Sequence, residues 1–255
     1  MSANAIDVSR TRSDSEEQQL RIDLAAAFRL AVLFDWHESV ANHFSAAVSD
    51  DGKTFLLNPR WKHFGTICAS DLLLLNSDDS SVMDSADAPD PSAWCIHGNI
   101  HARVPHARVL LHCHPPYATA LCGLQDPAIK PIDQNTARFY NRVAIDLSFG
   151  GIADDQAEGQ RIASAFVNHS IMMMGNHGVS VAAQTVAEAF DQLYFLERAA
   201  RTMVLAYSTG QPLNIMDNAL AEKTAAAWDN YTAMSFAHFE QMKELLDRTD
   251  SNWRK

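Results

Sequence analysis

The stretch LLHCHPPYATAL, residues 110–121, sets two imidazoles one residue apart at the end of an apolar run. On an extended chain, side chains at i and i+2 point to the same side. His112 and His114 therefore share one face of a strand end and can grip one metal ion. Taken alone, the pair reads more readily as a histidine-rich turn that binds nothing. A catalytic metal site usually has three protein ligands and one open position. His177, in MMMGNHGVSV, is the candidate third ligand: it too follows an apolar strand, and Gly175 and Gly178 beside it allow tight backbone geometry. Of the chain's eleven histidines, His169 and His238 sit in polar or helical contexts and are expected at the surface.

The elements that must position these residues read as alternating helices and strands. Residues 1–14 read as a mobile tail, and Ser15 to about Leu33 as a helix with acidic residues in its first turn. ANHFSAAVSDDGKTFLLN reads as two strands joined by an Asp-Gly turn, and ASDLLLLNSDDSS as a further strand. Residues 77–92 read as a loop or weak edge hairpin. SAWCIHGNIHARV reads as a helix capped by Ser92, with His97 and His101 on one face. ARVLLHCH is a buried strand, and PPYATALCGL opens a helix with proline in its first turn. RVAIDLSFGG reads as a strand, 154–168 as a helix, and SIMMMGNHGVSVAA as a central strand interrupted by a turn. A long helix follows from Thr185, and residues 217–247 add more helix. This mixture predicts an α/β fold with helices covering a mixed sheet.

Bulk properties set the outer limits. The chain has 255 residues, enough for one large domain, taken as 15–255 with a C-terminal helical extension from about 211. A net charge of −11 without a basic stripe disfavours nucleic-acid binding. Four cysteines without a CxxC pair argue against a disulfide framework. The polar N-terminus lacks a signal-peptide core and no apolar run spans a membrane, so a cytoplasmic location is expected.

With these residues in view, the sequence resembles the class II aldolase/adducin family over roughly residues 15–210. The resemblance lies in the H-x-H of His112 and His114 with the distant NHG turn of His177, in ESVANHFSAAV, in FLLNPRWKHFGTICASDLLLLN, in AWCIHGNIHARVPHARVLLHCHPPYATAL and in AEAFDQLYFLERAARTMVLA. The closing AHFEQMKELLDRTDSNWRK resembles a bacterial branch of unassigned substrate. The resemblance implies a three-layer α/β/α sandwich around a mostly antiparallel sheet. It also implies homotetramers with active sites between subunits, for which Tyr231 is a weak candidate contributor. It implies a divalent metal on His112, His114 and His177, with zinc the first choice and manganese, iron, cobalt or nickel as alternatives.

Family aldolases hold a substrate's oxygens on the metal, remove a proton with a carboxylate and stabilise the resulting enediolate. Where the family places that carboxylate, this sequence reads PSAW, with Ala93 at the acid position. Of the family's phosphate-binding positions, Asn42 and Ser92 remain; the accompanying glycine is Ala41, the Thr-Gly pair is Arg60-Trp61 and the first serine is Pro91. Arg60 could hold a carboxylate and Trp61 could cover an apolar substrate. Glu38 or His37, in DWHES, could replace the missing base, His97 and His101 could line the pocket, and His97 could orient a ligand histidine. Asn135 and Arg138 could contact substrate, while Gln134 stands nearest the family's tyrosine acid. The expected activity is a metal-dependent carbon–carbon lyase acting on a small hydroxy acid, keto acid or sugar-like molecule. The alternatives are a metal-dependent decarboxylase, which needs no base to remove a proton from carbon, and a non-catalytic adducin-like assembly module.

Overall fold

Glu16 reaches back to accept the backbone N–H of Ser13 at 2.9 Å, and this contact opens the first helix, α1, Asp14–Leu33. The helix thus begins one residue inside the expected tail; residues 1–12 of that tail lie outside the described residues. The computed structural model describes residues 13–148, 150–151 and 156–255. Phe28 of α1 stacks on Phe44 at 4.9 Å and meets Phe64 edge-on at 4.5 Å. Burying such rings is worth about 1.5–3 kcal/mol each. The contact holds α1 against the sheet and fixes where the chain leaves it, at residues 34–42.

Seven strands follow: β1 His43–Ala47, β2 Thr54–Leu57, β3 Leu73–Asn76, β4 Val109–Cys113, β5 Val143–Asp146, β6 Ile171–Met174 and β7 Val179–Ala183. They form one sheet in the order β3-β2-β1-β4-β7-β6-β5. Every neighbouring pair is antiparallel except β5–β6. The Asp51-Gly52 turn joins β1 to β2 with Gly52 at φ 73°, and a Cβ there would overlap the carbonyl oxygen of His101. The stretch 171–183, expected as one interrupted strand, is a hairpin of two strands with residues 175–178 as its turn. The expected loop at 77–92 contains a short 3-10 turn, Ser80–Asp84.

Helices cover both faces of the sheet. Phe44, Ala46, Leu111, Cys113 and Val181 face α1, α3 (Pro116–Cys122), α6 (Val186–Ser208) and α8 (Thr232–Asp247). Strand parity sends Leu110, Met172 and Ala182 to the other face, under α2 (Pro91–Arg103) and α5 (Gln156–Phe166). The layers are therefore α/β/α around a mostly antiparallel sheet. The short α4, Gln134–Ala137, and α7, Asn218–Trp228, pack beside α6 and each other, so the C-terminal region resolves into α7 and α8. The helix expected at 154–168 ends at Phe166, and its first two expected residues lie outside the described ones.

The cap of α2 differs from expectation. Asp90, not Ser92, is the N-cap: its Oδ1 accepts from the Ser92 N–H at 2.9 Å and the Ser92 hydroxyl at 2.6 Å. Pro91 at the first helical position has no N–H to satisfy, which shifts the helix start upstream. His238 also departs from its expected surface role: its Nδ1 lies 2.9 Å from Asp191 Oδ1. Asp191 is fully buried and also receives Arg138 at 2.8 Å and the Ser235 hydroxyl at 3.1 Å. Helical spacing alone did not reveal that α8 turns this histidine toward a buried charge on α6. Among the described residues no helix is long and apolar enough to cross a membrane.

Candidate metal centre

His112 ends β4, His114 follows it, and His177 sits in the β6–β7 turn, which the β4–β7 pairing brings to the same sheet edge. One ligand nitrogen from each of the three lies within 4.8 Å of the others. The ring centroids are 5.2 Å apart for His112 and His114, 4.8 Å for His112 and His177, and 4.9 Å for His114 and His177.

The far side of two rings is already engaged. His112 Nδ1 donates toward the Val179 carbonyl at 3.0 Å, with the Ser180 hydroxyl at 3.1 Å. A carbonyl only accepts, so this nitrogen carries the proton and Nε2 keeps its lone pair. His114 Nδ1 bonds the Glu38 carboxylate. Its Nε2 is buried with no hydrogen-bond partner. A buried imidazole nitrogen left bare beside two others fits a cation, and partners on the opposite nitrogen are what ligand histidines usually carry. Burial lowers the pKa of His112 well below its ordinary value and that of His177 to about 4, where His114 adds to the effect and Glu38 opposes it. Both rings are thus neutral, as metal ligation requires.

Glycine is needed here for space. A Cβ on Gly178 would overlap the His114 ring and come within 2.8 Å of the Cys113 carbonyl oxygen, and one on Gly175 would sit 3.1 Å from Leu147. Asn176 between them takes the left-handed conformation, φ 55°, which asparagine tolerates better than most residues. Behind His114, the buried carboxylate of Glu197 on α6 accepts the N–H groups of Tyr117 at 2.9 Å and Ala118 at 2.8 Å, holding the first turn of α3. Burial raises the Glu197 pKa to about 7 against the pull of those two bonds.

The three histidines open into a cavity of about 490 Å³, within the range of small-molecule sites. Glu38, Trp61, Asp90, Ser92 and Thr119 also line it. Trp61 is 70% exposed and held at φ 64°, an uncommon backbone conformation for a bulky residue. Arg60 beside it does not line the cavity; its N–H bonds the Ala88 carbonyl. Asn42 is buried, with both side-chain amide atoms unpartnered, between two residues that do line the cavity, Ala41 and His43. His37 pairs with His63, Nε2 to Nε2, at 3.0 Å and lies outside the cavity wall. Asn135 lies in a separate depression with Arg198 and Arg201. Arg138 is committed to Asp191, and it lines another cleft together with Tyr231.

Ala93 is 1% exposed and packs with Phe55, Leu57 and Trp94 on the core side of α2. No group at that position reaches the cavity. Among the described residues, the carboxylates that do are Glu38 and Asp90. Asp90 Oδ1 is held by the start of α2, which leaves Oδ2 for the cavity. Sequence reading passed over Asp90, although an aspartate directly before a proline that starts a helix is a recognisable cap. It also passed over His43, which lies directly opposite His112 in the β1–β4 pairing, with the two rings stacked at 4.8 Å. The signal was the alternation His43, Ser45 along a buried strand. His97, expected to orient a ligand, instead bonds His43 at 2.6 Å.

Known proteins share this chain's sequence pattern and fold. The family model for the class II aldolase and adducin N-terminal domain matches residues 22–204. A Caulobacter vibrioides protein assigned by name to aldolase class 2 is 30% identical over 210 residues, covering 82% of this chain and 79% of its own length. The decarboxylase NovR of Streptomyces niveus is 24% identical over 178 residues, covering 70% of this chain and 66% of its own. Among solved structures, an aldolase II superfamily protein from Pseudomonas syringae superposes with a TM-score of 0.86 at 28% identity, covering 96% of this chain and 98% of its own.

Proposed function

The chain belongs to the class II aldolase and adducin family, and we propose that within it the protein is a metal-dependent carbon–carbon lyase acting on a small hydroxy acid, keto acid or sugar-like substrate. The observation that carries this reading is the convergence of three imidazoles, with one ligand nitrogen of each within 4.8 Å of the others, in the wall of a cavity. His112, His114 and His177 hold the cation. Zinc suits three imidazoles best, with manganese, iron, cobalt and nickel as competitors. When bound, a divalent cation supplies Lewis-acid polarisation of a substrate oxygen and lowers the cost of negative charge beside it.

The chain's own residues do the rest. Glu38 orients His114, and the Val179 carbonyl orients His112. With Ala93 in the core, Asp90, whose Oδ1 is held by the start of α2, is the described carboxylate that would accept a proton from substrate, through Oδ2. Trp61 lines the cavity with a largely exposed indole against which an apolar part of the substrate would pack. The unpartnered Asn42 amide offers both a donor and an acceptor next to it. A homotetramer in which a neighbour completes the mouth follows family habit and is read by light scattering.

A second reading, decarboxylation of a hydroxy acid or aromatic carboxylate, is favoured by one specific feature. The residue that elsewhere removes a proton from carbon is here a core alanine, and loss of carbon dioxide generates the carbanion without that step. The NovR similarity supports it. One experiment separates the readings: the zinc-loaded protein is incubated with a panel of small hydroxy and keto acids while aldehyde and carbon dioxide release are followed together. Aldehyde release supports the lyase, and carbon dioxide release supports the decarboxylase. Purified protein whose metal content and stability do not respond to chelation would point instead to an adducin-like assembly role.

A further inference from the structure

A buried hydrogen-bond chain runs from the floor of the cavity into the layer under α2. His43 and Ser45, two apart on β1, share the face of the sheet that carries His112, and His97 and His101, one turn apart on α2, cover them. His101 Nδ1 lies 2.6 Å from the Ala107 carbonyl oxygen, and its Nε2 lies 2.6 Å from Ser45 Oγ. Ser45 Oγ also bonds His97 Nδ1, and His97 Nε2 lies 2.6 Å from His43 Nδ1. All four side chains are buried.

The chain has one direction. The Ala107 carbonyl only accepts, so His101 carries its proton on Nδ1 and its Nε2 accepts from the Ser45 hydroxyl. That hydroxyl has a single proton, so its oxygen must accept from His97 Nδ1–H. His97 Nε2 then accepts from His43 Nδ1–H. Burial lowers the pKa of His101 to about 4 and holds that of His97 well below its ordinary value, so these two rings are neutral, as the bonding pattern requires. The free end is the Nε2 lone pair of His43. Flipping that ring would leave His97 Nε2 buried without a donor, a costly arrangement. His43 lines the cavity and stacks on His112, yet it stands outside the three-ligand cluster.

We propose that His43 Nε2 is a dedicated acceptor for a substrate hydroxyl adjacent to the oxygen seated at the three histidines, and that His97, Ser45 and His101 are positioning residues holding it in that tautomer. The seat of the first oxygen rests on the metal-dependent reading above; the tautomer does not. The site accordingly selects compounds with a free hydroxyl beside a carbonyl or carboxyl group. Their alkoxy counterparts present only lone pairs to a lone pair.

Two measurements test this. In metal-free, ¹⁵N-labelled protein at pH 7, long-range imidazole correlations are expected to show His43, His97 and His101 all protonated at Nδ1; a His43 protonated at Nε2 overturns the chain. Ser45→Ala is expected to mix the His43 tautomers and Ser45→Thr to restore them; a pure Nδ1–H signal in Ser45→Ala overturns the positioning roles. Calorimetry on zinc-loaded protein then compares 2-hydroxyacetohydroxamate with 2-methoxyacetohydroxamate, both of which chelate metal. The hydroxyl compound is expected to bind about fivefold more tightly, as one neutral hydrogen bond allows, and His43→Phe to remove the preference. Equal binding by the wild type, or a preference surviving in His43→Phe, overturns the acceptor role. Failure of both probes to bind counts against the metal reading and leaves the spectrum to judge the chain.

Discussion

Glu38 holds the back of His114: its carboxylate bonds Nδ1, while Nε2 of the same ring faces the other two histidines with no partner of its own. The Glu38 side chain is 63% exposed, so it contributes little to the core. Glu38→Gln is therefore expected to leave thermal stability nearly unchanged and to weaken zinc binding by roughly 10–100-fold, the usual effect of losing such a partner. Competition with a chromogenic chelator measures it. An unchanged affinity would mean that Glu38 does not orient the ligand.

Gly178 is spatial rather than conformational in its requirement. A methyl group at 178 would collide with the His114 ring and crowd the Cys113 carbonyl. Gly178→Ala is expected to lose most bound metal and to cost about 1–3 kcal/mol of stability, the range for overpacking. Gly123→Ala, whose Cβ would meet its nearest neighbour at 3.4 Å, is the control and should keep its metal. Equal metal content in the two variants contradicts the crowding.

Acid should destabilise the metal-free protein. Burial lowers the pKa of His43, His101 and His177 to about 4 in the folded chain and holds those of His97 and His112 well below the ordinary value of 6.5. A depressed folded pKa contributes stability that is complete above 6.5 and is lost as pH falls toward and through 4. Glu197 works in the opposite sense. Raised from 4.5 to about 7, it contributes stability that is complete below 4.5 and lost as pH rises through 7. Five groups oppose one, so the urea midpoint of chelated protein is expected to be lower at pH 5 than at pH 7.5. A midpoint equal or higher at pH 5 would contradict these assignments.

Asp191 anchors α8 and the α4 region to α6. Its carboxylate is fully buried and serves Arg138, His238 and Ser235 together, while Arg138 also lies over the rings of Phe195 and Trp228. Asp191→Ala strands the guanidinium and is expected to cost about 3–5 kcal/mol. Chemical denaturation reads it directly. A loss below about 1 kcal/mol, the level of an exposed pair, would show that water already screens this group.

What could be read ahead of the structure followed local rules. Strand parity put His112 and His114 on one side, and the glycines around His177 marked a turn with little room. The α/β/α layering followed from the order of elements together with the family resemblance. What could not be read depended on pairing across long sequence separations. His43 acquires its meaning from standing opposite His112, and that register is invisible until β1 and β4 are side by side. Asn135 looked close to the site because it follows the helix after His114, but the intervening chain carries it to the face of α6 bearing Arg198 and Arg201. Asp90 was legible in principle and was masked by the serine two residues later, which is also a good cap.

The ligand-bearing backbone and the cavity rim belong to different parts of the molecule. His112 is set by a central strand paired on both sides, His114 follows directly from it, and His177 is fixed by a hairpin bonded to that same strand. Glu38, Trp61 and Asp90 arrive on three connecting segments outside the strands of the sheet, tied to one another by single bonds such as Arg60 N–H to the Ala88 carbonyl and His37 to His63. On the proposed reading, the cation seat would be set by the sheet, while the residues at the cavity rim could be exchanged one connection at a time. On that reading, such a scaffold would change the reaction it supports without rebuilding the three-histidine cluster. Divergence of reaction within a shared architecture then needs substitutions at the rim alone, and an alanine in place of an acid is a small step of that kind.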